Sequence, residues 1–137
     1  GVYYGTRHVI SAGSVTNSTT VDINGGTIYN NVYGGGALAC VGPPRLDTTK
    51  DYAVASISKC TVNINGGTIG QTADYESNKY GGCVYGASRG ISSESPLGSV
   101  GWTQVNVKNG ANILGNVYGG GDAGMVRKDT DVQIGAE

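Results

Sequence analysis

The sequence predicts an all-β fold, a parallel β-solenoid of about four coils that occupies residues 1–137 as one domain. Three observations carry this expectation. The pentapeptide Asn24-Gly25-Gly26-Thr27-Ile28 returns unchanged as Asn65-Gly66-Gly67-Thr68-Ile69. Two short anchors, Val-Xaa-Ile/Val and Val-Tyr, alternate along the whole chain. Glycine supplies 25 of the 137 residues without a three-residue period, which excludes collagen and weighs heavily against helices.

Each element follows from these anchors. Val21 with Ile23, Val62 with Ile64, Val105 with Val107 and Val132 with Ile134 are β-branched and apolar at alternate positions, the pattern of a half-buried strand. Asn-Gly-Gly tolerates positive φ and marks a tight corner. A short Thr-Ile strand follows, then a second corner. Next comes a Val-Tyr strand: Val2-Tyr3, Val32-Tyr33, Val84-Tyr85 and Val117-Tyr118. A glycine-rich corner then returns the chain to the next Val-Xaa-Ile. The third copy, Val107 to Ile113, holds one residue more than Ile23 to Ile28, and a bulge at that corner would absorb it.

Strands of this kind can stack on their equivalents about 4.8 Å away. Equivalent side chains then form ladders. Asn24 is expected over Asn65, Asn31 over Cys83 over Asn116, and Tyr33 over Tyr85 over Tyr118. The valines and isoleucines should face inward and the tyrosines outward. Those tyrosines read first as a structural stack and second as a strip for a sugar or a partner.

The repeat is interrupted near 42–58, 70–81 and 88–101. The first and third interruptions both lie between Val-Tyr and Val-Xaa-Ile, so they are expected on the same corner of neighbouring coils, protruding side by side. Insertions gathered on one face often form a binding face. The candidate ligand-binding residues are therefore Arg45, Asp47, Asp51 and Tyr52 in one, and Arg89, Glu94 and Trp102 at or near the other.

Composition narrows the classes further. A formal charge of −1, with nine scattered Lys and Arg, offers no basic face for nucleic acid. No apolar run reaches the length of a membrane span. The chain opens on Gly1-Val2-Tyr3 and closes soon after Val132-Gln133-Ile134, both inside the unit, so a fragment of a longer solenoid is expected. Unpaired strand edges at both ends would favour end-to-end self-association or flanking coils. Cys40, Cys60 and Cys83 leave at least one thiol unpaired within the chain. Buried thiols, a single disulfide, and a metal or catalytic role all remain open, although the spacing fits no zinc pattern.

No catalytic chemistry stands out. The strand positions Asp22, Asn63, Asn106 and Gln133 form a row with one carboxylate, too few for an acid/base pair. Asp122 follows three glycines, but the other copies lack the aspartate that a calcium row would need. The single histidine, His8, accompanies no Gly-Xaa-Ser-Xaa-Gly elbow. Gly34-Gly35-Gly36 lacks the Gly-Lys-Ser/Thr of a phosphate loop. No cofactor, metal or catalytic residue is expected.

The pattern Val-Xaa-Ile-Xaa-Gly-Gly-Thr-Ile…Asn-Val-Tyr-Gly-Gly-Gly resembles glycine-rich repeats of large secreted or surface proteins of bacteria, especially gut anaerobes. These resemble the right-handed parallel β-helix class, shared by adhesin-type autotransporter passengers and pectin-lyase-like proteins. The resemblance spans nearly the whole chain apart from the insertions. It implies right-handedness and an extracellular or cell-surface location. It also implies a non-enzymatic structural or adhesive segment, with a glycan or a host or cell-surface ligand as partner. A polysaccharide-binding or polysaccharide-processing module is the alternative.

Overall fold

The computed structural model describes residues 2–4, 7–9, 13–42, 58–71, 81–92 and 98–136. Among these the fold is all-β, with no α-helix. The strands in chain order are β1 (Val2–Tyr4), β2 (Arg7–Val9), β3 (Thr19–Ile23), β4 (Thr27–Ile28), β5 (Val32–Tyr33), β6 (Lys59–Ile64), β7 (Thr68–Ile69), β8 (Val84–Tyr85), β9 (Trp102–Lys108), β10 (Asn112–Ile113), β11 (Val117–Tyr118) and β12 (Thr130–Ala136). Three sheets are parallel, and each collects one element of the repeat: β3-β6-β9-β12, β4-β7-β10 and β5-β8-β11.

The register is the one the repeat implies. Val21 pairs with Val62, Val62 with Val105, and Val105 with Val132. Thr27 pairs with Thr68, and Tyr33 with Tyr85 with Tyr118. Hydrogen bonding continues through the corners. Asn65 N–H donates to Ile23 O (2.7 Å), Gly70 N–H to Ile28 O (2.6 Å), and Gly86 N–H to Tyr118 O (2.9 Å). Backbone groups that loops usually leave to water are thus satisfied by the neighbouring repeat.

Alternation divides the long strands into two faces. β6 and β9 bury every second residue. Val32, Val62, Ile64, Ile69, Val84, Val105 and Val107 form the core, and Val21, Ile23, Ile28, Ile113 and Val117 pack against it. A smaller cluster holds Val41, Cys60, Ala87 and Val100. Small and β-branched side chains dominate this core, as the strand-favouring stiffness of Val and Ile leads one to expect. Threonine hydroxyls tie the sheets together, Thr19 donating to Gly34 O (2.6 Å) and Thr103 to Gly119 O (2.5 Å). Cys60 occupies the equivalent place between them. Cys40, Cys60 and Cys83 are buried thiols, none in a disulfide.

Three expectations need correction. Val2-Tyr3 does not stack on Val32-Tyr33, because β1 pairs antiparallel with β2, Tyr3 opposite His8. The extra residue of the third copy makes no bulge at its corner. Ala111 N–H donates to Lys108 O (3.2 Å) in a reverse turn, with Gly110 at φ 96°. An irregularity does occur one strand later, at Gly135, where the register between β12 and β9 shifts.

The third correction concerns the insertions. Single parallel bridges join Val15 to Val41, Val41 to Val100, and Val100 to Val126. This row divides every return connection in two. Residues 43–57 enter after Val41, whereas the surplus of the next repeat enters before Val100. The described ends of the two interruptions therefore attach on opposite sides of this row, and residues 43–57 and 93–97 themselves lie outside the described residues.

Two outcomes follow from this packing. Ile64 is 0% exposed and Ile134 is 69% exposed. Ile64→Ala should cost roughly 2–5 kcal/mol in denaturant unfolding, and Ile134→Ala no more than about 0.5 kcal/mol. Gly67 sits at φ 84°, where a Cβ would lie 2.6 Å from Gly26 O, while Gly25 has open space around it. Gly67→Ala should therefore lower the unfolding midpoint markedly and Gly25→Ala hardly at all, and equal effects would contradict the corner geometry.

Candidate functional site

The outer face of β5-β8-β11 carries the tyrosine column. Tyr33 and Tyr85 stack at 4.9 Å between ring centres and 4° between planes, and Tyr85 and Tyr118 at 4.9 Å and 14°. In-register parallel pairing sets this spacing, since equivalent residues repeat at the strand separation. Beside the rings runs the Asn31–Cys83–Asn116 row. Cys83 N–H donates to Asn31 Oδ1 (2.9 Å), and Asn116 N–H donates to Cys83 Sγ (3.3 Å).

The cysteine in that row alters the tyrosine beside it. Asn31 Nδ2 donates to the Tyr33 hydroxyl (3.3 Å), and Asn116 Nδ2 to the Tyr118 hydroxyl (3.0 Å). Cys83 has no amide to offer. The Tyr85 hydroxyl accordingly has no hydrogen-bond partner among the described residues.

At the glycine corner after each tyrosine the repeats diverge. Four residues beyond Tyr33, Tyr85 and Tyr118 stand Ala37, Arg89 and Asp122. Arg89 bridges Ala37 in parallel but Ala123 in antiparallel fashion. Asp122 N–H donates to Ser88 O (3.1 Å), and Gly90 N–H donates to Asp122 O (2.7 Å). This local reversal lets Asp122 reach the first repeat, where its Oδ2 accepts from the Tyr33 hydroxyl at 3.3 Å. Leu38 (φ 52°) and Ala123 (φ 56°) are the non-glycine residues in the left-handed region among the described residues. Both adjoin this corner, and each costs about 1–2 kcal/mol relative to ordinary backbone.

Asn30, Asn31, Tyr33, Tyr85, Arg89 and Asp122 line a cavity of about 530 Å³, open to solvent. Three repeats contribute to it. The Arg89 guanidinium is exposed and makes no hydrogen bond or ion pair among the described residues. Burial pushes the Tyr33 phenol above its ordinary 10.0, and Asp122 adds to the shift while Asn31 opposes it. Tyr85 is raised further, by burial first and then by Cys83 and Asp122. Both phenols stay protonated at neutral pH, so the site offers phenolic donors, a carboxylate acceptor, amides and a cation.

The remaining candidates divide as follows. Arg45, Asp47, Asp51, Tyr52 and Glu94 lie outside the described residues. Trp102 sits on the outer face of β9, under Lys59 Nζ at 4.2 Å from its ring centre, and does not line the cavity with Arg89. The Asn24–Asn65 ladder is formed, with Asn65 Nδ2 donating to Asn24 Oδ1 at 2.8 Å. Asp22, Asn63 and Asn106 form a second ladder through amide donors at 2.8 Å. Asp122 was passed over as a ligand-binding residue. Counting four residues from each tyrosine would have singled it out together with Arg89.

Among the described residues, no three His, Cys, Asp or Glu side chains converge to hold a metal, and no helix is long and apolar enough to cross a membrane. Comparison with protein-family models, curated proteins and solved structures finds no match to this chain.

The raised phenols and Cys60, whose thiol burial lifts above its ordinary 9.0, fix a pH dependence. In the unfolded chain these groups lose protons from about pH 9 to 10 upward, while the folded chain retains them. Stability is then complete below about pH 8.5 and declines as pH rises through this range. The urea midpoint should be flat from about pH 7 to 8.5 and fall by pH 11. Tyr85→Phe should lessen the fall, and an unchanged slope in that variant would count against the assignment.

Proposed function

We propose that this chain is a structural and adhesive segment of a bacterial secreted or cell-surface protein and that it is not an enzyme. In this reading the three parallel sheets and the valine row close into a right-handed β-helix. Further repeats of the same protein, or a second copy, continue the stack at its edges. The observation that carries the reading is the use of side chains for stacking. Rows of identical or similar residues occupy all three sheets, and the Asp22–Asn63–Asn106–Gln133 row holds a single carboxylate. Such a surface favours length and display over acid/base work. The apolar Val132 and Ile134 on β12, 38% and 69% exposed, favour continuation of the stack there.

The alternative, a polysaccharide-binding or polysaccharide-processing module, draws on the polar cavity beside the tyrosine column. Processing would require paired carboxylates, and among the described residues lining the cavity Asp122 is the one carboxylate.

Small-angle scattering on chains with increasing numbers of repeats tests the scaffold. The expected result is a rod that lengthens by about 4.8 Å per repeat and releases no reducing ends or unsaturated products from neutral and acidic polysaccharides. A particle of fixed diameter would overturn the β-helix reading, and product release would overturn the non-enzymatic one.

A further inference from the structure

The cavity beside the tyrosine column has features that stacking does not require. In the first repeat the corner that builds it consists of small residues, Gly34-Gly35-Gly36-Ala37. In the next two repeats the position of Ala37 becomes Arg89 and then Asp122. Asp122 arrives beside a reversed bridge between Arg89 and Ala123, and Ala123 holds φ 56° as Leu38 holds φ 52° at the equivalent position of the first repeat. Strain of this kind persists where the surroundings over-determine it, often at ligand sites. Cys83, in the row otherwise made of Asn31 and Asn116, leaves the Tyr85 hydroxyl open toward the same cavity. Three departures from the repeat thus converge on one place.

We propose that this cavity binds a saccharide unit bearing a single negative charge, a carboxylate or a sulfate ester. Arg89 pairs with the anionic group, and Asp122 and the Tyr85 hydroxyl take ring hydroxyls. The lining decides the class. The described lining residues carry no aliphatic side chain, and the apolar surface comes from the Tyr33 and Tyr85 rings, which suit the face of a sugar ring better than an aliphatic peptide anchor. The described residues offer donors and acceptors of both kinds: two amides, two phenols, one carboxylate and one guanidinium. A polyol offers both kinds in return. Among the described lining residues Arg89 is the one cation, enough to pair with a single anionic group, while Asp122 repels further negative charge and so disfavours a doubly charged phosphate or a nucleic-acid backbone. The volume of about 530 Å³ falls within the roughly 300–1,000 Å³ of small-ligand sites. Arg89 is exposed and the cavity is open to solvent, which fits a terminal or branch sugar reached from outside.

The proposal rests on the adhesive reading and supplies its ligand. Calorimetric titration of the full chain with a glucuronate-containing disaccharide, its carboxyl-reduced counterpart and a sulfated disaccharide tests it. Binding is expected to one or both charged sugars, and the one that binds identifies the anion. It should weaken roughly ten- to hundred-fold in Arg89→Ala, or when the sugar is neutral. Arg89→Lys should retain part of the affinity, because the charge survives without the planar fork. Cys83→Asn should also weaken binding, by giving the Tyr85 hydroxyl an internal partner, while Trp102→Ala should leave it unchanged. Circular dichroism of each variant separates lost binding from lost fold. Equal affinity for neutral and charged sugars, or full affinity in Arg89→Ala, would overturn the site while leaving an adhesive role elsewhere on the chain. Absence of binding by all three probes would overturn the site and leave only the scaffold.

Discussion

The fold depends on in-register hydrogen bonding between one repeat and the next. The short strands, two residues each in β4, β5, β7, β8, β10 and β11, could not hold together alone. They persist because the backbone of each repeat donates to the repeat beside it, through the corners as well as the strands. The side chains obey the same constraint. Equal spacing places Tyr33, Tyr85 and Tyr118 in a stack and gives Asn24 and Asn65 a shared amide bond. Burial is consequently greatest in the middle repeat, where Val62, Ile64, Ile69 and Val84 are covered from both sides.

The same constraint makes departures informative. A residue that matches its column adds to the ladder, and one that differs interrupts it. Cys83 removes an amide donor, Arg89 introduces a cation, and Asp122 enters by a reversed bridge. Together they place hydrogen-bonding groups of mixed kind at a surface otherwise occupied by stacking. The non-glycine left-handed residues Leu38 and Ala123 lie on either side of Arg89 in this corner. Backbone strain and chemical variety therefore coincide in one corner.

Much of the architecture was legible in the sequence because it is local and periodic. Val-Xaa-Ile alternation gave the long strands, and Asn-Gly-Gly gave corners with Gly26 and Gly67 at positive φ. Counting from the anchors placed the tyrosine and asparagine rows. The Val15–Val41–Val100–Val126 row was missed because single-residue bridges in glycine-rich connections have no alternation to betray them. Without it the two insertions read as entering one corner, whereas their described ends attach on opposite sides of the row. Val2-Tyr3 carried the right dipeptide but met a closer antiparallel partner in Arg7–Val9, and proximity along the chain prevailed. The cavity was half legible: Arg89 stood out as a charge near an insertion, whereas the approach of Asp122 to Tyr33 depends on a chain reversal that no local pattern encodes.

Register can be measured directly by cross-linking outward-facing pairs on β6 and β9. Thr61 is the register partner of Gln104, and Asn106 lies two residues further along the same face. Parallel pairing puts the first pair about 4.8 Å apart and the second beyond the roughly 7 Å that a disulfide can bridge between Cα atoms. Under mild oxidation with peptide mapping, the Thr61→Cys/Gln104→Cys variant should form its disulfide readily and Thr61→Cys/Asn106→Cys should not. Equal or reversed yields would contradict the in-register stacking on which the rest of the structure depends.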